Sequence, residues 1–191
     1  MNLLLFDINK DLCKEFEIAF KDLTNVTVLH SSLENLPDYD CIVSPANSFG
    51  LMDGGIDLAI TRYFGTQLME RVQEYIIENY AGEQPVGTSF IIQTYHDMHP
   101  YLAHTPTMRV PMDIRNTDNV YQAMKAMLIA TSKHRNIQTV ACCGLGTATG
   151  RVPFDIAAKQ MALAYKNFLN PPKRIDWNFA GNRQREIQQL L

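Results

Sequence analysis

The sequence predicts an α/β fold, a three-layer α-β-α sandwich with a mixed, largely parallel central sheet. Short aliphatic or β-branched runs alternate with amphipathic helical stretches along nearly the whole chain, the pattern of strands joined by crossover helices. Two of those runs, at residues 40–44 and 139–143, hand over to a helix through glycine-rich turns. The chain has 191 residues, of which 46% are hydrophobic, a length and composition that suit one domain with a sizeable core.

In order, residues 3–6 read as a strand, and Leu12, Phe16, Ala19 and Leu23 recur at helical spacing behind Asn9, a suitable N-cap. Residues 26–29 alternate as a strand, 31–40 form a polar connection containing Pro37, and 40–44 form a buried strand. After Gly54-Gly55, Ile56, Ile60 and Phe64 mark a helix; Gly65 interrupts, and Leu68, Val72, Tyr75, Ile76 and Tyr80 mark the next. Residues 81–87 link to strands at 89–94 and 101–104, separated by the polar run 96–100. Thr117 is placed to cap a helix bearing Val120, Met124, Met127, Leu128 and Thr131 on its inner face. The strand 139–143 leads into Gly144-Leu145-Gly146-Thr147-Ala148-Thr149-Gly150 and then a helix with Ala157, Met161, Ala164, Tyr165 and Phe168. Pro171-Pro172 ends it, and 175–179 is expected as a last short strand before a polar tail. Residues 1–170 are therefore read as a single domain, with 171–191 a strand and tail packed on it or extending from it.

The formal charge of −3 argues against a surface built to neutralise nucleic-acid phosphates, so general nucleic-acid binding is not expected. Residues 1–6 are apolar without a basic lead-in, and no uncharged apolar run is long enough to cross a bilayer, so a soluble, cytoplasmic protein is expected. Cys13, Cys41, Cys142 and Cys143 lack Cys-x-x-Cys spacing and read as reduced core residues. No His-Glu-x-x-His motif or carboxylate cluster suggests a metal site.

Ligands of parallel sheets bind beyond the carboxyl ends of the strands, and both glycine turns leave from such ends. Glycine permits close backbone approach, and free N–H groups at a helix start favour an anion, so the pair is suited to a diphosphate. Either turn alone is better explained as a plain tight turn. Neither is a Walker A loop, and neither keeps the Gly-x-Gly-x-x-Gly spacing of a dinucleotide dehydrogenase.

These residues resemble the macro domain family, modules that bind ADP-ribose and in several branches hydrolyse its derivatives. The resemblance lies in Asp40-Cys-Ile-Val-Ser-Pro-Ala-Asn47, similar to the family's D-A-[IV]-V-N-A-A-N, in the segment from Gly54-Gly55-Ile56-Asp57 to Ala59-Ile60, and in the loop from Gly144 to Gly150. It spans roughly residues 26–170. It implies that Asn47 holds the distal ribose hydroxyls and that 54–57 and 144–150 wrap the pyrophosphate. Ser32, Leu33, Ala46, Met52 and Phe154 complete the implied ligand contacts, the loop members being Gly54, Gly55, Ile56, Asp57, Gly144, Leu145, Gly146, Thr147, Ala148, Thr149 and Gly150. The sequence departs from the family in two places: Ser32 stands where an aspartate contacts adenine, and Asp53 shortens the usual run of three glycines, a carboxylate expected to turn outward.

The same resemblance implies a hydrolase in which Asp57 orients or activates water, with Asn47 and His104 as further catalytic candidates and neither metal nor cofactor required. Arg109 would suit a terminal phosphate, and His99 is a second candidate for acid-base work. Simpler readings stand beside these: an Asx turn for Asn47, a dipole-favoured first-turn carboxylate for Asp57, and a structural strand-end histidine for His104. A binding module without turnover, or an unrelated α/β enzyme of another phosphorylated metabolite, would use the same crevice.

Overall fold

The computed structural model describes all of residues 1–191. Its strands are β1 (Asn2–Asp7), β2 (Val26–His30), β3 (Cys41–Ser44), β4 (Phe90–Gln93), β5 (Tyr101–His104) and β6 (Thr139–Cys142). The helices are α1 (Lys10–Phe20), α2 (Gly55–Phe64), α3 (Gln67–Tyr80), α4 (Asn119–Ser132), α5 (Phe154–Leu169) and α6 (Trp177–Gln188). The sheet order is β2-β1-β6-β3-β5-β4, parallel throughout except that β4 runs antiparallel to β5 at the edge.

Strand residues alternate between the two faces, as a two-residue period requires. Leu3, Leu5, Cys41, Val43, Ala103, Val140 and Cys142 pack with α1, α4 and α5 on one side. Leu4, Phe6, Ile42, Leu102 and Ala141 pack with α2 and α3 on the other. The result is the three-layer sandwich. Asn9 caps α1 by accepting from the Asp11 and Leu12 N–H groups, and Gly65, at φ 91°, separates α2 from α3. All four cysteines are free and buried. No helix is long and apolar enough to cross a membrane.

Two expectations change. Residues 175–179 are not a strand: Asp176 accepts a hydrogen bond from the Phe179 N–H at 2.9 Å and starts α6, which packs on the larger core cluster through Ile187. The alternation of Ile175, Trp177 and Phe179 imitates a strand, but Ile175 and Trp177 are exposed, so no buried sheet face selects that conformation. In α4 the N-cap position is Asp118, whose side chain makes no capping bond, while Thr117, one residue ahead of it, accepts from the Asn119 N–H at 3.4 Å.

The adjacency of β6, β3 and β5 positions the functional region. Their carboxyl ends lie side by side, so the loops that leave them, 143–153, 45–54 and 105–118, meet over one edge of the sheet.

Candidate functional site

The loop after β3 is shaped by Asn47. Its Oδ1 accepts from the Phe49 and Leu51 N–H groups at 3.0 and 3.3 Å, and its Nδ2 donates to the Leu51 carbonyl at 2.9 Å. The carboxamide thus folds its own loop as an Asx residue and retains one N–H for another partner. A parallel bridge between Asn47 and Met108, and a hydrogen bond from Thr107 Oγ1 to the Pro45 carbonyl at 3.2 Å, tie this loop to the one after β5. The loop after β6 closes on itself through the Val152 N–H to Gly146 O bond at 3.1 Å, and the Ile114 N–H donates to Gly150 O at 3.0 Å.

Between these loops lies a solvent-open crevice of about 140 Å³. Its walls are Pro45, Ala46, Asn47, Leu51 and 53–57 on one side, Gly144 and 146–150 on the other, and Thr107, Met108 and Pro111 across the end. The N–H groups of 54–57 open α2 and have no acceptor within the protein, and those of 145–150 donate to none either. Two sets of free backbone donors therefore belong to opposite walls of one crevice, the arrangement by which backbone alone holds phosphate oxygens.

Asp57 lies in the first turn of α2, 8% exposed, and lines the crevice. Ser44 Oγ donates to Asp57 Oδ1 at 2.6 Å, while Oδ2 has no partner within the protein. Burial pushes this carboxyl up to about 7; the Ser44 bond opposes the shift and the nearby Asp53 carboxylate adds to it. A carboxyl that titrates near neutrality is suited to take a proton from water. Asp53 is exposed on the lip and forms no ion pair, and no lysine or arginine lines the crevice.

Several expected residues lie elsewhere. His104 is fully buried at the end of β5, with Nδ1 2.5 Å from Gln84 Oε1 and its ring 5.3 Å from Phe90. Burial holds its pKa down at about 3, so it is a neutral core imidazole out of reach of the crevice, not a proton carrier. His99 packs at the opposite end of the sheet, stacked on Tyr39 at 3.9 Å. Arg109 is held in a bidentate pair with Glu83 at 2.6 and 2.8 Å, which occupies the face suited to a phosphate.

Met52 and Leu145 have fully buried side chains, and Ser32, Leu33 and Phe154 do not line the crevice. The structure brings Ala46, Asn47, Gly54, Gly55, Ile56, Asp57, Gly144, Gly146, Thr147, Ala148, Thr149 and Gly150 together. Pro45, Leu51, Thr107, Met108 and Pro111 join them without having been expected. The signal for Thr107 and Met108 was their place just beyond a strand's carboxyl end, without the glycines that marked the other two loops.

A second cavity lies between α4, α5 and α6, remote from the strand ends. Its Arg183 is already engaged by Asn167 and Glu186, and its Lys125 lies over the Tyr121 ring, 6.0 Å from the centroid.

The macro domain family model matches residues 43–161. An uncharacterized protein of Aquifex aeolicus is 31% identical over 144 residues, covering 75% of this chain and 82% of the relative. The macrodomain of Mycobacterium tuberculosis DarG superposes with a TM-score of 0.59 at 19% identity, covering 69% of this chain and 84% of that one. The Oceanobacillus iheyensis macrodomain with ADP gives 0.57 at 18% identity, covering 80% and 84%.

Proposed function

Since this chain belongs to the macro domain family, we propose that its crevice binds ADP-ribose and that Asp57 serves the hydrolysis of an ADP-ribose derivative at the distal ribose. The observation that carries the proposal is the pair of free N–H sets on facing walls, with the unpartnered oxygen of Asp57 beside one of them. The diphosphate sits between the loops, its oxygens accepting from residues 54–57 and 145–150. A similar macrodomain holds ADP, a ligand with the same diphosphate.

In the reaction, Asp57 takes a proton from a water whose oxygen bonds to the anomeric carbon of the distal ribose. The bond from that carbon to the acceptor breaks, and the acceptor leaves with the electron pair and is protonated by solvent. The carboxylate also steadies positive charge developing on the sugar.

The test pairs calorimetry with ADP-ribose and an assay for its release from a modified substrate. Asp57→Ala is expected to keep binding and to slow release at least about tenfold, a threshold set below the ~10²–10⁴-fold that a positioned acid-base group contributes. Unchanged release removes Asp57 from the reaction. A module that binds without turnover is favoured by one observation: the Asn47 carboxamide is already committed to its own loop, leaving little to hold a ribose diol. Heat of binding with no release by the wild-type protein would select that reading.

A further inference from the structure

We infer that Ser44 is the positioning residue of this site: its hydroxyl fixes one carboxylate oxygen of Asp57, so that the other, Oδ2, is the oxygen presented to the ligand. The inference deepens the hydrolase reading and rests on it for its catalytic consequence, but the contact itself stands on geometry. Ser44 is fully buried at the carboxyl end of β3, and its Oγ lies 2.6 Å from Asp57 Oδ1. That is the sole hydrogen bond the Asp57 carboxyl makes within the protein. An ionised carboxylate only accepts, so the hydroxyl must be the donor.

Both ends of the contact are held. Ser44 pairs with His104 across the β3–β5 ladder, and its carbonyl accepts from the Thr105 N–H at 2.8 Å. The Asp57 carbonyl accepts from Thr61 Oγ1 at 2.9 Å, which braces the first turn of α2. A donor carried on a central strand therefore sets the orientation of a group carried on a helix, a more rigid arrangement than a loop provides.

The groups around the carboxyl leave this role to Ser44. Asp53 approaches from the preceding loop and Cys143 from the end of β6, with Asp7 beyond it at the end of β1. Burial pushes the Cys143 thiol well up, so it stays protonated, and His104 beside Ser44 stays neutral. No lysine or arginine lines this crevice, and among the side chains only the Ser44 hydroxyl favours the ionised form of Asp57. Removing it must raise the pH at which the carboxyl ionises and release Oδ1 to turn.

The experiment follows the Asp57 carboxyl directly by ¹³C NMR through a pH titration in wild type, Ser44→Ala and Ser44→Thr, alongside ADP-ribose calorimetry and the pH profile of release. In Ser44→Ala the midpoint is expected to rise by about one pH unit, equivalent to about tenfold in the ionised fraction below the midpoint. Release near about pH 6 then falls about tenfold and recovers toward about pH 9, while ADP-ribose affinity stays within about twofold. Ser44→Thr, which keeps the hydroxyl, restores the wild-type midpoint. An unmoved midpoint in Ser44→Ala overturns the role. The carboxyl titration needs no turnover: a shifted midpoint in a protein that releases nothing upholds the Ser44–Asp57 contact and overturns the hydrolase reading alone.

Discussion

Asp57 and His104 are buried ionisable groups near strand ends, and burial acts on them in opposite senses. The Asp57 pKa is raised from 3.8 to about 7, so between those values the native state holds a proton that the unfolded chain has lost. Its contribution to stability is present below pH 3.8 and is lost as pH rises toward 7. The His104 pKa is lowered from 6.5 to about 3, so its contribution is full above 6.5 and is lost as pH falls toward 3. Asp57→Asn removes the first term while leaving an acceptor for Ser44. It is expected to raise Tm by about 5 °C at about pH 8 and to leave it nearly unchanged at about pH 4, where the native carboxyl is protonated. Thermal unfolding at the two pH values checks this. An equal gain at both would show that the carboxyl carries no cost of ionisation.

At the scale of loops and helices, the glycines divide into those that make room for a ligand and those that make room for the protein. Gly54 has an extended φ of −142°, and an added methyl would meet nothing within 4 Å on the crevice wall. An added methyl at Gly150 would stand 2.5 Å from the Gly146 carbonyl oxygen and 2.8 Å from Ile114 Cγ1. Gly54→Ala is therefore expected to keep its Tm and to weaken ADP-ribose binding about tenfold by filling space a phosphate needs. Gly150→Ala is expected to lose about 1–3 kcal/mol of stability through overpacking. Denaturation and calorimetry on both variants separate the two roles; a Gly54→Ala protein with full affinity would place the diphosphate elsewhere. This division also shows what the sequence made legible. Gly54-Gly55 and the run from Gly144 to Gly150 announce their loops by composition, and the strands before them by period. The loop carrying Thr107, Met108 and Pro111 has no such mark, because its place depends on β5 pairing beside β3, a long-range contact. The burial of His104 and His99 depends on the same packing. The segment at Ile175 and Trp177 shows the converse failure, in which a local alternation had no sheet to join.

For the molecule as a whole, the crevice depends on three neighbouring strand ends, and every residue that lines it lies at or before Gly150. The C-terminal helix α6 contributes to a different region. It covers part of the α4 and α5 surface, burying Ile187 against the larger core cluster and placing Arg183 between Asn167 and Glu186. Stability and binding should therefore separate in a chain ending at residue 170. Loss of one buried isoleucine and its neighbours' cover costs about 1.5–3 kcal/mol, which for a domain of this size lowers Tm by about 5–10 °C. ADP-ribose affinity, measured by calorimetry at a temperature well below that transition, is expected to stay within about twofold, since no free N–H donor and no crevice wall is removed. A truncated protein that folds but no longer binds would mean that α6 holds the strand-end loops in place through α4 and α5. In that case residues 1–170 would not be a self-sufficient domain, and the sheet alone would not be what keeps the two walls facing each other.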